Sequence, residues 1–218
     1  MTYRRGARLA APVAVATIAF SISFGVLARA AGMGTWAPIA MSATTFGGSA
    51  QFAVASILDD RGGAAAAIAA ALLLNLRYLP IGISVAGGFA GGRLRRLLEA
   101  QLVVDESWAI SIGGGRFDRR VLVGAGGLLY VGWIGGTALG VVGGSALGDP
   151  NRLGLDAAFP ALFLALLAPR LRERRALAAA LAGGALAAAL IPVAPAGIPI
   201  VAASAACLLG APRPGRRG

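Results

Sequence analysis

Polar residues interrupt three of the long apolar stretches of this chain. They lie in Gly47-Gly48-Ser49-Ala50-Gln51-Phe52, in Asn75-Leu76-Arg77-Tyr78 and in Asp105-Glu106-Ser107-Trp108. A polar or ionised group inside a membrane span is costly unless it is paired or faces a water-filled cavity, so such residues usually have a function. Together the three segments supply one cation, two anions and a site at which a helix can break. That set suits the binding of a zwitterionic amino acid.

The cation is Arg77, whose guanidinium stays protonated in proteins. Asp105 and Glu106 are its natural partners, because the other acidic residues lie in loops or near span ends. Consecutive helical residues point about 100° apart, so one carboxylate can pair with Arg77 while the other faces a cavity and carries a proton. Two alternatives stay open: Arg77 lies at the lipid headgroups, or the two acids belong to a solvated interfacial helix.

The adjacent glycines at 47 and 48 predict a local break. Each costs roughly 1 kcal/mol in a helix relative to alanine, and an unwound span offers backbone N–H groups to a carboxylate. The alternative is close helix packing at the glycines, with Gln51 hydrogen-bonded to a neighbouring helix. The candidate substrate-binding residues are Gly47, Gly48, Ser49, Gln51, Phe52, Asn75, Arg77 and Trp108. The candidate coupling residues are Asp105 and Glu106.

Composition indicates a membrane protein. Of the 218 residues 57% are hydrophobic and only 13% are charged, whereas a soluble domain carries about a quarter charged residues. Several apolar stretches reach the roughly 17–25 residues that cross a bilayer as a helix. We therefore expect an all-α, multi-pass helix bundle forming one domain over residues 1–218, with basic segments at 1–10 and 212–218.

The charge and residue content exclude several classes of function. The net charge is +11, but every basic residue is arginine and most cluster at span ends. This is the pattern of topology-setting loops, and we expect no nucleic-acid partner. Cys207 is the single cysteine and histidine is absent, which excludes an internal disulfide and histidine-based chemistry. We expect no metal and no cofactor.

Hydropathy predicts spans at residues 11–27, 36–58, 64–89, 121–147, 153–168 and 176–191, with a last apolar piece at 193–211. Segment 97–112 is shorter and contains both candidate coupling acids. If it does not cross, the chain has seven spans and the arginines at 4–8 violate the positive-inside rule. If it crosses, there are eight spans and the arginines at 93–96 violate it. Both topologies remain open.

Glycine recurs at every fourth position from 132 to 148, in the second half of the span at 121–147 and just after it. The residues are Gly132, Gly136, Gly140, Gly144 and Gly148. Such a stripe predicts close packing inside the bundle, or alternatively a sliding face or a partner contact. The match between residues 47–50 and 135–138 indicates a weak internal repeat, which transporters often build in inverted form.

The ordered set of motifs resembles the AzlC family, the large subunit of bacterial branched-chain amino acid exporters. The family pattern is found here as Pro12, Phe24-Gly25, Gly48-Ser49-Ala50-Gln51-Phe52, Asn75-Leu76-Arg77-Tyr78, Asp105-Glu106-Ser107-Trp108-Ala109 and Pro160-Ala161-Leu162-Phe163. Three residues depart from the pattern: Val104, Trp108 and Tyr78 stand where threonine, phenylalanine and histidine are usual. Tyr78 removes a titrating group, and the larger Trp108 would reshape a pocket.

The resemblance implies a secondary transporter and not an enzyme. Its role would be export of branched-chain or similar apolar amino acids across the bacterial inner membrane, with a small AzlD-type membrane subunit as partner. Coupling to protons is a further implication. Two other functions are weighed against it: a non-transporting membrane assembly subunit, and an intramembrane enzyme that uses Asp105 and Glu106 as acid and base.

Overall fold

The computed structural model describes residues 2–113, 116–147, 164, 167–168, 170–194 and 198–206. Its helices are α1 (Tyr3–Ala30), α2 (Trp36–Thr44), α3 (Gly48–Asp59), α4 (Ala64–Asn75), α5 (Tyr78–Ala86), α6 (Arg93–Ala100), α7 (Asp105–Ser111), α8 (Arg119–Leu147), α9 (Arg174–Leu190) and α10 (Ile198–Ser204). Two-residue strands β1 (Ile112–Gly113) and β2 (Arg116–Phe117) pair antiparallel before α8, and a 3₁₀ turn (Arg170–Arg172) precedes α9. The predicted helical class is confirmed.

Two of the described helices, α1 and α8, are long and apolar enough to cross a membrane individually. They contain 28 and 29 residues, or about 42 Å at 1.5 Å per residue. The pair α4 and α5 forms a third candidate span with a bend of 42°. The spans predicted at 11–27 and 121–147 are thus confirmed as helices, whereas most of 153–168 lies outside the described residues.

The largest interface among the described elements joins α1 to α8. The two helices run parallel, because Gly6 contacts the backbone at Val121 and Gly140 contacts the backbone at Ile22. Glycine permits this approach, since a Cβ at either position would collide with a backbone carbonyl oxygen. Gly132, Gly136 and Gly144 also face α1, while Gly148 lies outside the described residues.

The parallel pair defines two ends of the bundle. We call the end at which α1 and α8 both begin the near end, and the end at which both finish the far end. The position along α8 at which a segment makes contact gives the depth of that segment between the two ends. These depths distinguish segments that traverse the bundle from segments that turn back inside it.

The α2–α3 segment enters from the far end and returns to it. α2 follows α1 through a short turn and reaches the middle of α8, where the Ser42 and Thr137 hydroxyl oxygens are 2.8 Å apart. α3 starts beside Trp133 and packs along α4, with Ile57 against Ala67. α4 and α5 then run to the near end, so α3 must finish at the far end. The span predicted at 36–58 is thus divided into two helices, with the break beside the adjacent glycines at 47 and 48, and the chain reverses at residues 45–47.

Segment 97–112 also turns back, in this case from the near end. Glu99 of α6 accepts a hydrogen bond from Arg119 at the start of α8. The chain then reaches inward to Val104, which is 5% exposed, and α7 returns to the hairpin that precedes α8. α6 and α7 contain 8 and 7 residues, too few to span a bilayer. Of the two topologies left open by the sequence, the one in which this segment does not cross fits these contacts.

These two reversals change the distribution of charge. Because neither segment traverses the helix bundle, the arginines at 4–8, 93–96 and 119–120 all lie at the near end. These three groups are then consistent with one another under the positive-inside rule, which predicts that the near end faces the cytoplasm. The basic segment at 1–10 is largely helical, since α1 begins at Tyr3, and the basic segment at 212–218 lies outside the described residues.

The α1–α8 contact predicts opposite effects for two alanine substitutions on one helix. Gly140→Ala should lower stability by about 1–3 kcal/mol, because its Cβ meets the Ile22 carbonyl. Gly143→Ala should be neutral or stabilising by up to roughly 1 kcal/mol, because no atom lies within 4 Å of its Cβ position. Unfolding in detergent measures both, and equal effects would contradict the packing described.

The reversal of α2–α3 predicts a specific pattern of accessibility. In a Cys207→Ser background, Ala30→Cys and Gly63→Cys should react with an impermeant maleimide from the same side of the membrane. Gly92→Cys, at the near end, should react from the opposite side. A crossing segment at 36–58 would instead place the first two cysteines on opposite sides, so labelling of intact cells and of inverted vesicles decides between them.

Candidate functional site

The site forms where α2 gives way to α3. Phe46 takes a left-handed conformation with φ of 42°, which ends α2 and redirects the chain. The carbonyl oxygens of the last turn of α2 accept hydrogen bonds from side chains: Gln101 Nε2 donates to Ala43 and Thr44 at 3.2 and 3.0 Å. Tyr130 also donates to the Ala43 carbonyl, at 2.6 Å. The break is therefore supported by the protein, and the first N–H groups of α3 have no intrahelical partner.

A second break brings the cation to the same depth. α4 ends at Asn75 and α5 begins at Tyr78, so Arg77 lies at the junction. Its Nη2 donates to Ser49 Oγ at 3.0 Å and to the Tyr78 hydroxyl at 3.2 Å. The same nitrogen is 3.1 Å from Asp105 Oδ2, and both side chains are half-buried. The guanidinium carbon is 5.1 Å from the centre of the Tyr78 ring. Three separate segments thus meet at one guanidinium.

These groups line a cavity of about 70 Å³. Its polar wall is formed by Thr17, Ser49, Arg77, Tyr78, Asp105 and Glu106, and its apolar wall by Phe20, Phe46, Val104, Leu129 and Trp133, with Gly48 at the start of α3. A buried water needs about 10–15 Å³ of such volume, so the cavity has room for a few waters. Sites for drug-sized ligands start at roughly 300 Å³. An amino acid would require the cavity to widen.

Gln51 belongs to a buried ring of hydrogen bonds beside this cavity. Trp133 Nε1 donates to Gln51 Oε1 and Gln51 Nε2 donates to Ser42 Oγ, both at 2.8 Å. Ser42 contacts Thr137, whose hydroxyl donates to the Trp133 carbonyl at 2.9 Å. Each side-chain partner is thereby satisfied, as buried polar groups require. Gln51 joins α3 to α2 and α8, the arrangement considered as the alternative to substrate contact.

Four other predicted residues lie outside the cavity lining, namely Gly47, Phe52, Asn75 and Trp108. Phe52 packs in the core with its ring centroid 5.6 Å from that of Phe24. Trp108 points to α5, where its Nε1 donates to Ser84 Oγ at 3.0 Å. Asn75 lies against Gly47, where a Cβ would be 2.7 Å from Asn75 Oδ1. The cavity thus brings together Gly48, Ser49, Arg77 and both acids, but not these four residues or Gln51.

A family model described as "AzlC protein" matches residues 12–147. That match covers more than half of the chain. The chain belongs to the AzlC family. All residues of the cavity lie within the matched region.

Two relatives agree with this membership. An "Uncharacterized membrane protein" of Archaeoglobus fulgidus is 33% identical over 188 residues, covering 85% of this chain and 83% of its own. The "Branched-chain amino acid transport protein AzlC" of Bacillus subtilis is 26% identical over 163 residues, covering 71% of this chain and 62% of its own length. No solved structure matches the chain. The findings support a membrane protein with a transport-related role.

Sequence reasoning missed the apolar wall of the cavity, of which Trp133 is the central residue. The available signal was an indole N–H inside a glycine-rich apolar helix, since a buried tryptophan N–H usually has a hydrogen-bond partner. Gly48 reinforces the contact, because a Cβ there would be 2.7 Å from the Trp133 ring. Phe20, Val104 and Leu129 gave no such signal, as apolar residues in apolar helices resemble ordinary core.

A buried glutamate anchors the segment that carries Asp105. Glu99 is 7% exposed; Arg119 Nε donates to its Oε2 at 2.6 Å, and Arg95 Nε donates to its Oε1 at 3.0 Å. The hydrogen bond from Arg119 holds the pKa of the Glu99 carboxyl below its usual range, against the effect of desolvation and with further help from Arg95. Ionised Glu99 therefore stabilises the position of α6.

This anchor predicts a pH-dependent loss of stability. Because the folded-state pKa of Glu99 is lowered, its contribution is present above the unfolded pKa and is lost as pH falls through the folded pKa. Glu99→Gln should lower the melting temperature in detergent at pH 7, and this difference from wild type should shrink below about pH 4.

The control for this prediction is Glu173→Gln, the same chemical change at an exposed position. It should leave the melting temperature unchanged at every pH. A Glu99→Gln deficit that stayed constant down to pH 3 would show that the carboxylate charge is not the stabilising feature.

Proposed function

We propose that this chain is a secondary transporter for branched-chain or similar apolar amino acids, and that substrate binds in the cavity at Arg77. The supporting observation is the meeting of Arg77, Asp105 and Ser49 from three different segments at that cavity. The transport-protein name of the Bacillus subtilis relative supports the same substrate class.

Each part of a zwitterionic substrate has a matching group. The carboxylate would bind Arg77 and the first N–H groups of α3 at Gly48 and Ser49, because a helix N-terminus favours anions. The ammonium would bind Asp105 or Glu106. The apolar side chain would pack on Trp133 and the rest of the apolar wall. Neutral and charged parts are then all paired in this half-buried site.

The ion pair between Arg77 and Asp105 would act as a substitute for substrate. In the empty site each charged group neutralises the other at 3.1 Å, which avoids two unpaired charges at this depth. An incoming zwitterion would separate the pair and bind one group with each of its charges. Widening of the 70 Å³ cavity would then accompany binding, with the breaks at residues 45–47 and at Arg77 as the hinges.

The remaining parts of the assignment are proposals of the same kind. Export is the proposed direction, the bacterial inner membrane the proposed location, and a small AzlD-type membrane subunit the proposed partner. Glu106 is the proposed proton carrier, because it lines the cavity next to the paired Asp105. Seven or eight spans and a weak inverted repeat remain predictions, although a segment that turns back at residues 45–47 lowers the number of crossings.

Two observations bear on the alternative functions. The glycine stripe of α8 packs against α1 of the same chain, which removes the main argument for a non-transporting assembly subunit. For an intramembrane enzyme, a paired acid site requires carboxylates from separate helices. Among the described residues, the acids lining the cavity are Asp105 and Glu106, which are adjacent on α7.

Removing either charge of the ion pair should strongly reduce transport. Arg77→Gln and Asp105→Asn, inserted at wild-type levels, should each reduce flux of labelled leucine in proteoliposomes at least tenfold. The expected size follows from the roughly 1.5–3 kcal/mol contributed by a hydrogen bond to a charged group. Flux is measured with and without a co-reconstituted small membrane subunit, because an obligate partner would otherwise mask activity.

The matched controls are Asp60→Asn and Arg61→Gln, the same substitutions at exposed positions of the far end. Both should transport at the wild-type rate. Wild-type flux by the Arg77 and Asp105 variants would refute the assigned site, whereas absence of flux by the wild-type chain with its partner would favour an assembly role.

A further inference from the structure

A second cavity lies between α5 and α6 at the near end. It is an open groove of about 460 Å³, and Tyr78, Gly82, Ala86, Phe89, Leu97 and Ala100 contribute to its walls. This volume falls within the roughly 300–1,000 Å³ of small-molecule sites. Gly82 faces this open space, because no atom lies within 4 Å of the position that a Cβ would take.

The groove has one charged end and one apolar end. Arg93 and Arg96 line it at the start of α6, and Ala100 and Val103 line it where the chain turns inward. Positions 93, 96, 97 and 100 share one face of the helix, since residues three and four apart are neighbours. The polarity thus runs from charged at the near end to apolar toward the cavity at Arg77.

The two arginines of the groove have side chains available for a ligand. Arg95 of the same helix is ion-paired with Glu99, but neither the Arg93 nor the Arg96 guanidinium has a hydrogen bond or ion pair within the described part of the chain. α6 also exposes Leu94, Leu97 and Leu98, at 72, 69 and 63%. Exposed leucines beside arginines are typical of a helix that lies in the membrane interface.

We propose that this groove binds one anionic phospholipid, with its phosphate at Arg93 and Arg96 and an acyl chain along Gly82 toward Tyr78. Charge complementarity selects this occupant, because the near end carries the arginine clusters and is expected to face the leaflet rich in anionic lipid. The hydroxyl of Tyr78 accepts a hydrogen bond from Arg77, so the acyl chain would contact a residue that also lines the central cavity. The proposal does not depend on the transported substrate.

Native mass spectrometry of the detergent-purified full chain tests the site by titration with dioleoyl phosphatidylglycerol or dioleoyl phosphatidylcholine. Arg93→Gln with Arg96→Gln should weaken phosphatidylglycerol binding roughly 25-fold, about fivefold for each arginine near an anionic lipid, and weaken phosphatidylcholine binding by a smaller factor, because the choline cation of that lipid offsets its phosphate charge. Gly82→Leu, which fills the groove, should weaken binding of both lipids at least fivefold. The matched control is Arg4→Gln with Arg5→Gln, which removes two arginines outside the groove and should change neither affinity more than twofold.

Several results would overturn the proposal. Unchanged phosphatidylglycerol affinity in both groove variants would do so, as would an equal loss in the Arg4 and Arg5 control. Competition by glycerol phosphate would indicate a site for a soluble phosphate. A co-expressed membrane protein that displaces the lipid, and whose own binding is lost in Gly82→Leu, would identify a protein occupant. Melting temperatures of all variants must stay within a few degrees of wild type. If Gly82→Leu fails to fold, the arginine variants alone test the proposal.

Discussion

A helix can break inside a membrane only where protein groups satisfy the backbone atoms that the break exposes. The rest of this structure depends on how that requirement is met at the end of α2. Gln101 and Tyr130 donate to the carbonyl oxygens of Ala43 and Thr44. These hydrogen bonds join the inner end of the α2–α3 segment to the inner end of the α6–α7 segment and to α8. Because the break is stabilised in this way, the N-terminus of α3 stays open beside Arg77.

Part of the fold was predictable because it depends on local composition. α1 and α8 are continuous apolar runs of span length, and hydropathy identifies such runs directly. The reversals were not predictable from hydropathy, which averages over a break, and residues 36–58 are together long enough to cross. Whether a chain crosses or returns is decided by contacts distant in sequence, such as that of Gln101 with the end of α2. The glycines at 47 and 48 indicated a break but not its direction.

The candidate site was likewise predictable only in part. Arg77, Asp105 and Ser49 could be predicted because charged and polar groups are costly in an apolar helix and must find one another. Gln51 and Trp108 satisfied the same criterion but meet other partners, in the hydrogen-bonded ring and on α5. Residue type predicts that a polar side chain has a partner, whereas the helix face on which it lies decides which partner it has. The apolar wall around Trp133 could not be predicted from residue type, since it depends on three-dimensional packing alone.

The glycine contact between α1 and α8 also imposes an order on biosynthesis. Ser21 of α1 and Gly132 of α8 are 111 positions apart, so α1 enters the bilayer before its partner exists. At 5–20 residues per second, the ribosome needs roughly 5–20 s to make that partner. During this interval the face of α1 that α8 later occupies is not yet covered by α8. The Ser21 hydroxyl does not need α8 as a partner, because it donates to the Ile18 carbonyl of its own helix at 2.9 Å. The Ser21 hydroxyl is therefore already hydrogen-bonded before α8 is made.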